Sequence, residues 1–275
     1  MYKLKTEKKI AVLAALVEGN SIRAITRMTG VQKNTISRLL YRVGGGCDRL
    51  LDNRMRDLEC RNIQVDEIWC YVGKKQKQLT LADRKYRPEL GDNYVFVALD
   101  ADTKLVPYHR IGKRNRKTAI RFMQSLEMRL INHVQITTDS FQPYYEAVDI
   151  AFHGQVDYAQ LHKHYLTNGE RRYSPPTITG VFHRIMTGNP KIRGISTSFV
   201  ERQNLTMRMQ MRRFTRLTNA FSKTLINLKA ACALHFANYN FCRIHQTLRC
   251  TPAMESGITN RLWSMEDLLE REVSY

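Results

Sequence analysis

Residues Asn62-Ile63-Gln64-Val65-Asp66-Glu67-Ile68-Trp69-Cys70-Tyr71-Val72 constrain the fold more than any other stretch. Ile63, Val65, Trp69 and Tyr71 share one parity, and Ile68, Cys70 and Val72 the other. A strand with two largely apolar faces is an inner strand, covered on both sides. Asp66 and Glu67 sit in its middle. An ionised carboxylate there is costly unless something compensates, and a bound cation is one such compensation. The remaining sequence is therefore read for further oxygen ligands and for a substrate that needs them.

Downstream, Tyr94–Asp100 reads as a second strand and Leu105–Arg110 as a third, joined by a turn at Asp102-Thr103-Lys104. A helix follows with Ala119, Phe122, Met123, Leu126 and Leu130 on its inner face. Val134–Ser140 is then a short strand with Asp139 at its end. Three antiparallel strands, a helix and another strand is the opening order of the ribonuclease-H-like fold. In that fold the fourth strand lies beside the first and brings Asp139 near Asp66. Residues 161–195 lack clean periodicity and read as loops and short elements, a candidate DNA-facing insertion. Ser198-Phe199-Val200-Glu201 fits a capping box opening a helix. Glu201, Asn204 and Arg208 share one face of it, since seven residues is close to two turns.

The N-terminal part has a different texture. Ile10, Leu13, Ala14 and Val17 form a helical stripe closed by Gly19. Ser21 caps a second helix ended by Gly30, and a third runs from about Gln32 to Val43. This is the helix-turn-helix layout, with Gln32, Lys33, Asn34 and Arg38 projecting from the recognition helix. A generic three-helix bundle is the competing reading. Gly44-Gly45-Gly46 reads as a flexible joint. The division expected is 1–43 helix-turn-helix, 44–61 linker, 62–250 catalytic domain with an insertion at about 155–195, and 251–275 C-terminal tail.

Charge narrows the partner. The chain of 275 residues carries 44 Lys+Arg against 25 Asp+Glu, a net charge of +19. Such an excess points to a polyanion, nucleic acid before membrane. From Arg110 to Lys117 five of eight residues are basic, including Lys113, Arg114, Arg116 and Lys117. No apolar run is long enough for a transmembrane helix, and no secretory signal pattern follows Met1. The six cysteines form no C-x-x-C pair, which argues against a zinc ribbon and fits a cytoplasmic, nucleoid-associated protein.

Hard cations such as Mg²⁺ take oxygen ligands, and two of them can activate an attacking oxygen and stabilise a leaving one at phosphorus. Asp66, Asp139 and Glu201 are the carboxylates that fit. Each also has an ordinary reading: Asp139 as a helix cap, Glu201 as a cap or an ion pair with Arg208, Asp66 and Glu67 as partners of Arg or Lys. Between 201 and 250 there are nine Lys+Arg and Glu201 is the one acidic residue. His162, His164 and His245 are weaker candidates.

Two blocks resemble the transposases of the IS1 family of bacterial insertion sequences. They are Val65-Asp66-Glu67-Ile68-Trp69 and Val200-Glu201-Arg202-Gln203-Asn204-Leu205-Thr206-Met207-Arg208, the latter followed by Arg212-Arg213-Phe214-Thr215-Arg216. The resemblance implies a DDE recombinase with a ribonuclease-H-like catalytic domain, Asp66, Asp139 and Glu201 as an acidic triad, and Arg208 as a DNA contact. The chain departs from several members in lacking a cysteine zinc finger ahead of the helix-turn-helix. Whether Asp66 or Glu67 is the ligand stays open on the residues alone, since neighbours on a strand face opposite sides; the family pattern favours Asp66.

The resulting expectation is an α/β protein, a ribonuclease-H-like mixed sheet with flanking helices preceded by a small all-α helix-turn-helix domain. It binds double-stranded DNA at terminal inverted repeats and at a target through Gln32, Lys33, Asn34, Arg38, Lys113, Arg114, Arg116, Lys117, Asn204, Arg208, Arg212 and Arg213. It uses two Mg²⁺ or Mn²⁺ ions and acts as a dimer or larger homo-oligomer. The alternatives are a structure-selective nuclease or resolvase on the same fold, and a helix-turn-helix DNA-binding regulator.

Overall fold

A computed structural model describes residues 4–166, 177–216 and 218–273. Strands β1 (Asn62–Val72), β2 (Gly91–Asp100), β3 (Tyr108–Gly112), β4 (Val134–Thr138), β5 (Val156–Leu166) and β6 (Thr177–Thr187) form one mixed sheet. Their order is β3-β2-β1-β4-β5-β6. β1 is an inner strand, antiparallel to β2 (Asp66 opposite Val97) and parallel to β4 (Val65 opposite Thr138). β5 runs parallel to β4, and β6 returns antiparallel along β5. This is a mixed α/β architecture compatible with a ribonuclease-H-like fold.

Helices cover both faces. α5 (Arg116–Glu127) and α6 (Pro143–Phe152) lie against the odd-numbered face of β1, where Phe96 of β2 meets the rings of Phe122 and Tyr144. α7 (Ser198–Gln210) packs on the even-numbered face. Buried Gln64 fixes it there, accepting hydrogen bonds from the backbone N–H groups of Phe199 (2.8 Å) and Val200 (3.2 Å) at the helix start. That side chain satisfies two amides a helix N-terminus otherwise leaves unpaired. The capping-box expectation is corrected in detail. Thr197 precedes the helix, and its hydroxyl donates to Glu201 Oε1 at 2.5 Å.

The N-terminal helices are α1 (Thr6–Val17), α2 (Ile22–Thr29) and α3 (Lys33–Arg54). Ser21 accepts the Ala24 N–H and Gly30 closes α2 in the left-handed conformation, as expected. The glycine trio is not a joint: Gly44, Gly45 and Gly46 lie inside the continuous α3. The reason is packing. α3 crosses α8 (Leu225–Ala237) so closely that a Cβ on Gly44 would stand 2.3 Å from the Ala230 carbonyl oxygen. The stretch read as a linker therefore buries Cys47, Leu50, Leu51, Met55, Leu58 and Cys60. The stretch read as a tail likewise carries helices over its described residues. α9 (Pro252–Glu255) and α10 (Met265–Val273) follow, with Trp263, Leu268 and Leu269 buried and α10 against α3. α4 (Leu81–Tyr86) lies in the excursion between β1 and β2, closed by a Thr80–Asp83 capping box.

The region 161–195 is also corrected. Its described residues are mostly the outer half of β5 and all of β6, two long strands rather than loops; Ser174-Pro175-Pro176 lies outside the described residues. Trp69, read as a buried face residue, is 39% exposed.

Candidate metal centre

The site forms where β4 ends. Val65 opposite Thr138 is the last β1–β4 pair, and β1 runs on to Val72 without that neighbour. Asp66 and Glu67 are thus the first β1 residues with an open flank, and Asp139 is the first residue past β4. Strand alternation sends Asp66 toward α7 and Glu67 toward α6. Because the flank is open, both carboxylates still reach Asp139, and one oxygen from each of the three lies within 4.8 Å of the others.

Each carboxylate is held. Asp66 Oδ1 accepts the Glu67 N–H (2.8 Å), and Oδ2 accepts from Asn204 Nδ2 of α7 (2.9 Å). Asp139 Oδ1 accepts the Phe141 N–H at 3.0 Å. Arg114 bridges the other two, 3.4 Å from Asp139 Oδ2 and 3.6 Å from Glu67 Oε2, with its guanidinium 3.9 Å from the centre of the Phe141 ring. The Glu67 side chain is only 2% exposed. Burial pushes Asp66 up to about 7, helped by the charges of Asp139 and Glu201. Burial and the same Asp139 push Glu67 up to about 8, with Arg114 opposing. Asp139 is raised as well, by burial first, while the Phe141 N–H and Arg114 pull it down.

Glu201 stands beside this group rather than inside it. Its charge acts on Asp66 and Asp139, but its carboxylate is taken by Thr197 and by an ion pair with Lys163 of β5. Of the expected triad, Asp66 and Asp139 meet, Glu67 joins them, and Glu201 flanks them.

The donor set suits a hard divalent cation. All the ligating atoms are oxygens, and Glu67 Oε1 and Asn204 Oδ1 are buried without a hydrogen-bond partner. Repelling, desolvated carboxylates with spare oxygen lone pairs are what a hard divalent cation relieves.

The expected DNA-contacting residues fall into two groups. Gln32, Lys33, Asn34 and Arg38 are exposed over the first turns of α3, and Lys117 and Arg212 are exposed too. The others are engaged within the fold. Lys113 Nζ donates to the carbonyls of Leu90 (2.5 Å) and Asp92 (2.8 Å). Arg116 pairs with Glu146 of α6, and Asn204 with Asp66. Arg208 is half-buried and donates to the Phe214 carbonyl at 3.4 Å. Arg213 turns inward onto Ser222 Oγ (3.1 Å) and the Asn227 carbonyl (2.7 Å).

Sequence reasoning missed Gln64, Lys163 and Tyr144, whose buried hydroxyl faces Glu67. Tyr144 carried a signal in its position one residue after the helix-starting Pro143. A lysine between two histidines gave none for Lys163.

No protein-family model matches the chain, and no curated protein matches it. No helix among the described residues is long and apolar enough to cross a membrane.

Proposed function

We propose that this protein is a DNA transposase of the kind implied by the IS1 resemblance. It hydrolyses a phosphodiester to free a 3′-hydroxyl at each end of a mobile element, and that hydroxyl then attacks target DNA. The observation that carries the reading is the meeting of Asp66, Glu67 and Asp139 at one rim of the sheet, with Glu201 beside them. These carboxylates would hold a divalent cation, which would polarise the scissile phosphate and lower the pKa of the attacking oxygen.

The chain's own residues divide the remaining work. Asp66 and Asp139 would hold the cation, and they are fixed by Asn204 and by the Phe141 N–H. Glu67 supplies a further oxygen from the opposite sheet face. Arg114 and Lys163 neutralise the carboxylates in the resting protein and offer positive charge to an incoming phosphate. Gln32, Lys33, Asn34 and Arg38 of α3 face outward and read the terminal repeats, and the net charge of +19 holds the phosphate backbone. Two DNA ends must be joined in one event, which calls for at least two copies of the chain.

The test uses duplex DNA from either side of the coding region, with and without pre-cleaved 3′ ends. The full-length protein is expected to cleave and join in Mg²⁺ or Mn²⁺. Asp139→Asn is expected to lower both by several kcal/mol in the barrier, on the order of a thousandfold. Joining that survives Asp139→Asn, or that proceeds in excess chelator, overturns the reading. Cutting without joining assigns the site to a nuclease instead.

A further inference from the structure

We infer that β6 is a self-pairing edge, through which two copies of this chain join their sheets into one. β6 ends the sheet, and none of its eleven residues is buried. Among the described residues nothing pairs with its outer edge. Bulky apolar side chains nevertheless crowd the hairpin: Tyr165 and Leu166 on β5, and Ile178, Val181, Phe182 and Ile185 on β6, each about half exposed. An open strand edge is a template for another strand, and proteins normally blunt it with charge or proline. β6 has no proline and one Arg, Arg184, in a chain with 25% charged residues. A depletion of charge with enrichment in aromatic and aliphatic residues marks the centre of a protein interface.

The sequence of β6 also fits itself. Antiparallel pairing about Phe182 places it against the partner's Phe182. Gly180 then falls opposite the partner's Arg184, Ile178 opposite the partner's Met186, and Val181 opposite the partner's His183. No like charges face each other, and the strand's bulkiest side chain lies on the two-fold axis. The four half-exposed side chains of β6 itself, Ile178, Val181, Phe182 and Ile185, offer on the order of 400 Å² of apolar surface per copy, taking large side chains at roughly 150–250 Å² each. This lies below the ~800 Å² per partner of a standard interface, in the size class of weak, micromolar association. The seam lies one strand from Lys163, which pairs with Glu201, so dimerisation would fix two acidic sites relative to each other. The inference extends the assembly requirement of the proposed function, but it is read without DNA or divalent cation. A failure here therefore leaves the Asp139→Asn test standing, and Asp139→Asn leaves the dimer intact.

Three proteins test it: the parent, Phe182→Cys, and the double variant Val181→Lys with Ile185→Lys. In sedimentation equilibrium the parent is expected to dimerise in the micromolar range, and the lysine pair to weaken dimerisation at least tenfold with unchanged circular dichroism. Under mild oxidation Phe182→Cys is expected to form a disulfide-linked dimer. The parent and Leu81→Cys, a control at a position 87% exposed on α4, are expected not to. A parent that stays monomeric at tens of micromolar overturns the inference. So does cross-linking at Phe182→Cys no faster than at Leu81→Cys, or a lysine pair that dimerises normally. If the lysine pair weakens DNA binding with no change in association state, the hairpin is a nucleic-acid contact and the inference falls.

Discussion

β1 and β6 are each eleven residues long and each carries bulky apolar side chains on both faces, yet the sheet encloses the first and leaves the second open. Beneath β2, β4 and two helix layers, β1 has Val65 and Ile68 almost wholly buried, and its two carboxylates pay for that enclosure in raised proton affinity. β6 meets β5 along one edge only. A two-sided apolar pattern therefore reports a demand for burial without saying what meets it. For β1 the chain itself meets the demand, and the acidic residues trapped there become the candidate site. For β6 the demand is left over, which is why a second copy is inferred.

Paired substitutions break or sharpen this contrast. A lysine at Val65, inside β1, leaves a buried charge unpaired and is expected to cost more than about 4 kcal/mol, enough to prevent folding. The same change at Ile185 of β6, measured at a protein concentration low enough for the chain to be monomeric, is expected to move stability by no more than about 0.5 kcal/mol. Urea unfolding of both decides it, and equal tolerance would mean that β1 is not an inner strand.

The glycines of α3 make a second pair. At Gly44 any Cβ meets the Ala230 backbone, so Gly44→Val is expected to destabilise by about 2–3 kcal/mol. Gly45 has only the end of Arg49 nearby, at 4.0 Å, and Gly45→Ala is expected to stabilise by up to about 1 kcal/mol. A flexible joint would tolerate both changes alike.

pH moves stability through the two buried carboxylates of β1. Asp66 and Glu67 bind protons at about 7 and about 8 in the fold, against 3.8 and 4.5 as ordinary side chains. Between those limits the folded state holds more protons than the unfolded chain, so stability falls as pH rises. Without divalent cation, Tm is expected to fall continuously from pH 5 to pH 8, and Mg²⁺ at pH 8 to recover part of the loss. A Tm that rises over this range would place the two carboxylates outside the repelling cluster.

Much of this architecture was legible in the residues. The two apolar parities of 62–72 marked an inner strand, and Val134–Ser140 ended in a carboxylate that the strand order brings to Asp66. Ser21 and Gly30 bounded α2 by ordinary capping chemistry. The rest depended on contacts that no local pattern encodes. Three consecutive glycines usually loosen a chain, and only the approach of α8 makes them a packing surface. Alternation placed Glu67 on the wrong face to join Asp66, because the early end of β4 is not visible from β1. Arg213 and Lys113 looked like DNA contacts for their charge, while their partners are carbonyls and a hydroxyl within the fold. β6 and the outer half of β5 escaped notice because strands exposed on both faces need not alternate.

The central claim is that Asp66, Glu67 and Asp139 together hold a divalent cation. Binding of Mn²⁺ to the DNA-free protein at pH 8, followed by electron paramagnetic resonance of the free ion, tests it most directly. The account predicts saturable binding to the parent, at least tenfold weaker at pH 6 as protons compete, and lost in Asp66→Asn and in Asp139→Asn. Binding that is equally tight in the parent and in both variants would contradict it.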